Sequence, residues 1–151
     1  MLLGLAVLIG TCGCGGSGRS KRSSSRKSGA PKASVKKALA DGKKYVDVRN
    51  TQKAIAAFSR AIKLDPKCKE AYVWRGMAYN ESHDRRKALA DFTKAIQLDP
   101  TDNYAYEQRA AVYEQLREPA KAKADKDKAF ALRQKNREDM RQRVKGKKGK
   151  R

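Results

Sequence analysis

Histidine is nearly absent from this chain: His83 is the only one, so no multi-histidine metal site can be assembled, and one histidine in a turn between helices is a poor base. Cysteine is almost as scarce. Cys12 and Cys14 lie too close together to bridge, Cys68 is then left unpaired, and no zinc-ligand spacing occurs. Cys68 follows Asp65-Pro66 and reads as a small loop residue rather than a reactive thiol. No glycine-rich phosphate loop is present, because Gly13-Cys14-Gly15-Gly16 precedes no strand–helix unit. Nucleophile–base pairs, paired carboxylates and metal ligands are all missing, so the expectation is a protein that is not an enzyme and uses no metal and no cofactor.

Long hydrophobic runs are also lacking. Leu2 to Ile9 is apolar but much shorter than the ~20 residues that span a bilayer. It has the length of a secretory signal core, without the usual basic residue ahead of it. The run into Ile9-Gly10-Thr11-Cys12 resembles the lipobox of bacterial lipoproteins. Thr11 suits the position before the cysteine poorly, and Gly13 before Cys14 suits it better, so Cys12 and Cys14 are both candidate lipidation sites. The alternative is a hydrophobic N-terminus without a role.

Acidic residues are few: 16 Asp and Glu face 37 Lys and Arg, giving a net charge of +21. The imbalance sits at the ends. Residues 15–37 hold eight basic residues and no acid, and residues 133–151 hold ten against Glu138 and Asp139, so 16 of the 21 charges lie there. The Gly/Ser/Lys/Arg stretch from Gly15 to Ala33 cannot bury enough apolar surface to offset its ordering entropy, and Lys145 to Arg151 offers none. Both read as disordered basic tails.

What the middle does contain is repetition. Gly42, Gly76 and Ala110 stand 34 residues apart, as do Tyr45, Tyr79 and Tyr113; Ala54, Ala88 and Ala122; and Ala61, Ala95 and Ala129. Phe58 and Phe92 share the step, and Lys53-Ala-Ile-Ala-Ala-Phe recurs as Lys87-Ala-Leu-Ala-Asp-Phe. A period of this length marks stacked supersecondary units. Each unit reads as two helices, the first from about Val35, Lys69 and Asn103, the second from about Asn50, Asp84 and Pro119. Small residues at 42, 76 and 110 allow close helix approach, with Ala54, Ala88 and Ala122 expected opposite them. Asp65-Pro66 and Asp99-Pro100 stop the second helices, and Asp84 and Pro119 suit helix starts.

The ordered Gly, Tyr, Ala, Phe, Ala and Pro at a 34-residue step resembles the tetratricopeptide-repeat (TPR) family over about residues 35–136. The resemblance implies an all-α right-handed solenoid of three hairpins, with repeats at 35–68, 69–102 and 103–136 between a hydrophobic segment (1–14), a basic linker (15–34) and a basic tail (137–151). The third repeat departs most, with Lys126 at the Phe position and Gln134 at the Pro position. A last repeat has no successor to cover it, so a polar capping face is expected there. Without a proline at 134, its second helix is free to run on through Phe130, Leu132, Met140 and Val144.

By the same resemblance, the first helices line a concave groove for a partner peptide. The matching positions include Lys43, Glu70, Val73, Trp74, Met77, Glu81, Tyr104, Glu107, Gln108, Ala111 and Glu114. Family members that clamp a C-terminal carboxylate use Lys, Asn and Arg. Leu39, Lys43, Trp74, Tyr104 and Gln108 stand at those positions, so only Lys43 supplies charge and the chaperone-docking clamp is not predicted. The acids favour a basic or neutral ligand, with Trp74, Met77 and Tyr104 as an adaptable apolar floor; the plainer reading is solvated helix faces and a packing tryptophan. The expected function is a non-catalytic adaptor at the cell envelope, exported or membrane-anchored, with a protein or peptide partner. The rival is a nucleic-acid or anionic-surface binder acting through the basic tails, placed in the cytoplasm if the chain is not exported.

Overall fold

The computed structural model describes residues 32–148, and over that span every regular element is helical. Six helices follow one another: α1 (Lys32–Asp47), α2 (Thr51–Leu64), α3 (Lys69–Glu81), α4 (Arg85–Leu98), α5 (Asn103–Gln115) and α6 (Pro119–Lys148). They pair as hairpins α1/α2, α3/α4 and α5/α6, and the hairpins stack through α2 on α3 and α4 on α5.

The helix ends are chemically specified, and several of them repeat with the sequence. Asn50, Asp84 and Asp102 cap α2, α4 and α5, their side-chain oxygens accepting from the amides of Lys53, Lys87 and Tyr104. After α2 and α4, the carboxylates of Asp65 and Asp99 accept from the amides of Lys67 and Thr101, and the following proline prevents the helix from continuing. Each first helix ends on a residue with positive φ: Arg49 (55°), His83 (63°) and Arg117 (59°). Around each, two backbone bonds close a Schellman turn; in the middle repeat His83 N–H donates to Asn80 O and Asp84 N–H to Tyr79 O. His83 is therefore a turn residue.

Two buried clusters form the core, one in the first hairpin and its junction with α3, the other across α3, α4, α5 and α6; Ile62 touches both and joins them. Phe58 and Phe92 are fully buried. The three atoms closest to a Cβ built on Gly42 or Gly76 belong to the ring of Phe58 or Phe92. The close approach expected from these glycines therefore brings the phenylalanine rings against the backbone of the first helices. Tyr45 and Tyr79 are half-buried and carry Lys53 and Lys87 over their rings at 5.8 and 5.4 Å.

Two boundaries differ from expectation. α1 starts at Lys32, inside the span assigned to the linker, because Lys32-Ala33-Ser34 contains no helix breaker. α6 runs to Lys148: its course through Val144 is the expected continuation, and residues 145–148, expected to be disordered, are helical as well. With no proline at 134 nothing stops the helix, and its composition is rich in strong helix formers. The hydrophobic segment 1–14, the linker up to residue 31 and the last three residues lie outside the described residues.

Candidate partner-binding groove

The first helices α1, α3 and α5 lie side by side on one face of the stack. Between them is a cavity of about 240 Å³, which Val46 of α1, Trp74, Met77, Asn80 and Glu81 of α3, and Gln108 of α5 surround. The helical step places these α3 residues on one stripe, since 74, 77 and 81 are three and four apart.

Trp74 is at once floor and packing residue. One side of its ring stacks on Phe58 at 6.2 Å between centroids, with planes 19° apart. The Lys43 ammonium sits 5.2 Å from its ring centroid and also donates to Glu70 Oε1 at 2.7 Å. Lys43 and Glu70 therefore neutralise each other at the rim, both side chains about half exposed. Tyr104 is exposed, and its hydroxyl donates to Met77 Sδ at 3.5 Å, which holds the thioether at the edge of the groove. Val73 is buried in the core, and Ala111 is half-buried.

The acids are distributed unevenly. Glu107 pairs with Arg133 and Glu114 with Lys126, both partners belonging to α6, so these two carboxylates face the last helix and not the groove cavity. Glu81 is exposed and has no basic partner among the described residues. Asn80 Oδ1 is shut off from solvent and accepts no hydrogen bond among the described residues. Two larger hollows, of about 530 and 370 Å³, lie elsewhere, along α6.

One repeated constellation has no counterpart in the sequence reading. Arg75 donates to both carboxylate oxygens of Asp91 at 2.8 Å and to Ser59 Oγ at 3.1 Å. Arg109 does the same with Asp125 at 2.8 Å and Thr93 Oγ1 at 3.1 Å. Tyrosines flank each guanidinium, Tyr72 and Tyr79 around Arg75, Tyr106 and Tyr113 around Arg109, at 5.7–6.0 Å. The carboxylate bonds raise both arginines further above their ordinary value. Each set ties a first helix to its own second helix and to the second helix of the preceding hairpin, which fixes the rotation of α3 and α5 and so the aim of Trp74, Met77 and Gln108. The signal was available, since 75 and 109, 91 and 125, and 59 and 93 are all one 34-residue step apart. In the first repeat Asp41 and Ala57 stand at the Arg and Asp positions, so the set begins where a preceding hairpin exists.

Antiparallel hairpins stacked at a fixed 34-residue step, with a groove along their first helices, define a helical-repeat interaction scaffold. The Tetratricopeptide repeat family is matched twice, over residues 39–82 and 69–102. Residues 39–102 are thus built of tetratricopeptide repeats. No curated protein matches the chain. Among solved structures it is similar to MamA, at 25% identity and a TM-score of 0.68, covering 72% of this chain and 63% of that one. The chain thus spans less than two thirds of the MamA chain. It is also similar to the TPR2B domain of yeast Sti1 in complex with an Hsp70 peptide (28% identity, TM-score 0.65, 66% of this chain and 80% of that). A third likeness is the second TPR of Spaghetti (RPAP3) bound to the HSP90 peptide SRMEEVD (25% identity, TM-score 0.65, 67% and 94%).

Proposed function

We propose that this protein is a non-catalytic adaptor whose α1/α3/α5 face holds an extended segment of a partner protein. The observation that carries the reading is the cavity of about 240 Å³ floored by Trp74 and Met77. It has room for one large apolar side chain, and Glu81 and Gln108 stand at its edge to orient the backbone or a neighbouring basic residue. Two of the similar structures are complexes with chaperone peptides, which supports a peptide as the ligand class. The acidic peptide SRMEEVD held by the second TPR of Spaghetti does not suit this groove, because Lys43 is its one basic side chain at a matching position and is already engaged by Glu70. An apolar anchor beside a Lys or Arg fits better.

Trp74 is the only tryptophan in the chain, so occupancy of the groove is read directly from its fluorescence. Peptides selected from a displayed library against the whole protein should shift the Trp74 emission on titration and should share an apolar residue next to a basic one. Selected peptides that bind with no change at Trp74, and as well to Met77→Glu as to the parent, would place binding elsewhere.

The site of action we propose is the cell envelope, through an N-terminus exported and lipid-modified at Cys12 or Cys14. This rests on sequence alone: the Leu2 to Ile9 run, the small residues after it and the basic linker beyond. Cell fractionation with intact mass tests it. A membrane-associated species cleaved before one of these cysteines and heavier by acyl chains supports the proposal; an unmodified soluble species overturns it.

A further inference from the structure

The side chains of α6 are buried only as far as Leu132, and from Arg133 to Val144 every side chain is exposed. The inward stripe, Ala122, Asp125, Ala129 and Leu132, packs on the rest of the third hairpin. About a quarter-turn away lies a second stripe: Phe130, Arg133, Arg137, Met140 and Val144, with Arg141 one turn beyond Arg137. Steps of three and four keep these residues on one face. Phe130, Met140 and Val144 are 61, 62 and 52% exposed, three of the six large apolar side chains left open on the described surface. Glu138 and Asp139, the only acids in this half of the helix, fall off the face. Arg133 is held by Glu107, while Arg137 and Arg141 have no acidic partner among the described residues.

A helix of this length without tertiary contacts is marginal in water, and the mixed face gives it a specific use. Nucleic-acid phosphates would engage the arginines and leave Phe130, Met140 and Val144 in water. A second copy of the chain, itself strongly basic at +21, would bring like charges together. An anionic lipid leaflet accommodates both halves of the pattern: apolar side chains enter the acyl boundary while arginines reach back to the phosphates. α6 is not apolar enough to cross a membrane, so the geometry is that of a helix lying in the interface plane. We propose that the Phe130–Val144 face of α6 docks on an anionic phospholipid surface. This contact is independent of the groove and of any lipid on the N-terminus.

The test is co-sedimentation of the full chain with vesicles of phosphatidylcholine, alone or with about 30% phosphatidylglycerol. Residues 15–31 are basic as well, so the variants carry the discrimination. Binding should require the anionic lipid. Arg137→Gln with Arg141→Gln should weaken it about 30-fold, two residues each contributing what a basic side chain near an anionic surface usually does. Phe130→Ser, Met140→Ser and Val144→Ser together should weaken it by about 10-fold or more without changing the charge. All five side chains are exposed, so the melting temperature and the Trp74 titration should match the parent. Unaltered vesicle binding by the apolar triple variant would overturn the proposal. So would tighter binding to duplex DNA or RNA at the same salt with no loss in that variant, which would assign the face to nucleic acid.

Discussion

The ring of Phe92 occupies the space where a side chain on residue 76 would begin: a Cβ built on Gly76 would stand 2.8 Å from Phe92 Cε1. Gly42 and Phe58 repeat the arrangement. In the third hairpin both members change together, to Ala110 and Lys126. Lys126 reaches out to Glu114 instead of filling the interior, and Ala110 is fully buried with its methyl in place.

Gly76→Ala should therefore destabilise the protein by about 1–3 kcal/mol, overpacking outweighing the gain of up to about 1 kcal/mol in helix propensity. Chemical denaturation measures it. Adding Phe92→Leu should return part of the loss, because the ring is the obstacle. In the third repeat, Ala110→Gly should lose about 1 kcal/mol, since no ring waits to fill the space.

The Arg75–Asp91 pair is bidentate and mostly buried, with side chains 19 and 8% exposed. Asp91→Ala leaves the guanidinium without its counter-charge and should cost about 2–4 kcal/mol. Arg75→Met with Asp91→Leu should recover most of that, because an apolar pair of similar size has no desolvation cost to offset. A double-mutant cycle in urea separates the two effects.

Asn80 holds a shielded oxygen without a hydrogen bond at the edge of the groove, a costly arrangement in a helix that needs no polar residue there. Asn80→Leu should raise the melting temperature and at the same time weaken groove ligands. A variant more stable and equally competent to bind would separate this residue from function.

Acid should loosen the joint between the second and third hairpins. Asp99 accepts from Lys69, then from the hydroxyl and amide of Thr101, and these bonds lower its carboxyl to about 2. A depressed carboxylate stabilises the fold fully above its unfolded value of about 4, and the contribution is lost as pH falls from there to about 2. Asp99→Asn should be less stable than the parent at pH 7, with the difference closing over that window. Lys69 behaves oppositely: burial lowers its affinity for a proton, but Asp99 and Asp102 outweigh burial and raise it, so its share is lost only in strong alkali.

Much of this architecture was legible from the 34-residue step. The Asp84 cap, the Asp-Pro stops and the close glycines follow from it, because each is a short-range device with a fixed residue type; the Asp102 cap does not, since Cys68 stands one step before it and makes no side-chain cap. The buried Arg75–Asp91 and Arg109–Asp125 sets obey the same step, yet charged residues in a basic helical sequence read as solvated faces, and only the stacked neighbours show that they are enclosed. Glu107 and Glu114 illustrate the converse. They occupy groove positions by alignment, but the last hairpin has no successor, and α6 supplies Arg133 and Lys126 to them instead. Neither α6's continuation to Lys148 nor α1's start at Lys32 could be fixed to the residue, because no breaker marks either point.

The central claim is that a partner segment sits on Trp74 and Met77 between α1, α3 and α5. Photo-crosslinking in cells tests it most directly, with a photoreactive phenylalanine at position 77 and, as control, at the exposed Arg60 on α2. One discrete adduct from position 77, missing from position 60 and lost when Glu81→Lys is added, is the predicted result. Equal adducts from both positions, or an adduct at 77 that the charge reversal leaves intact, would contradict it.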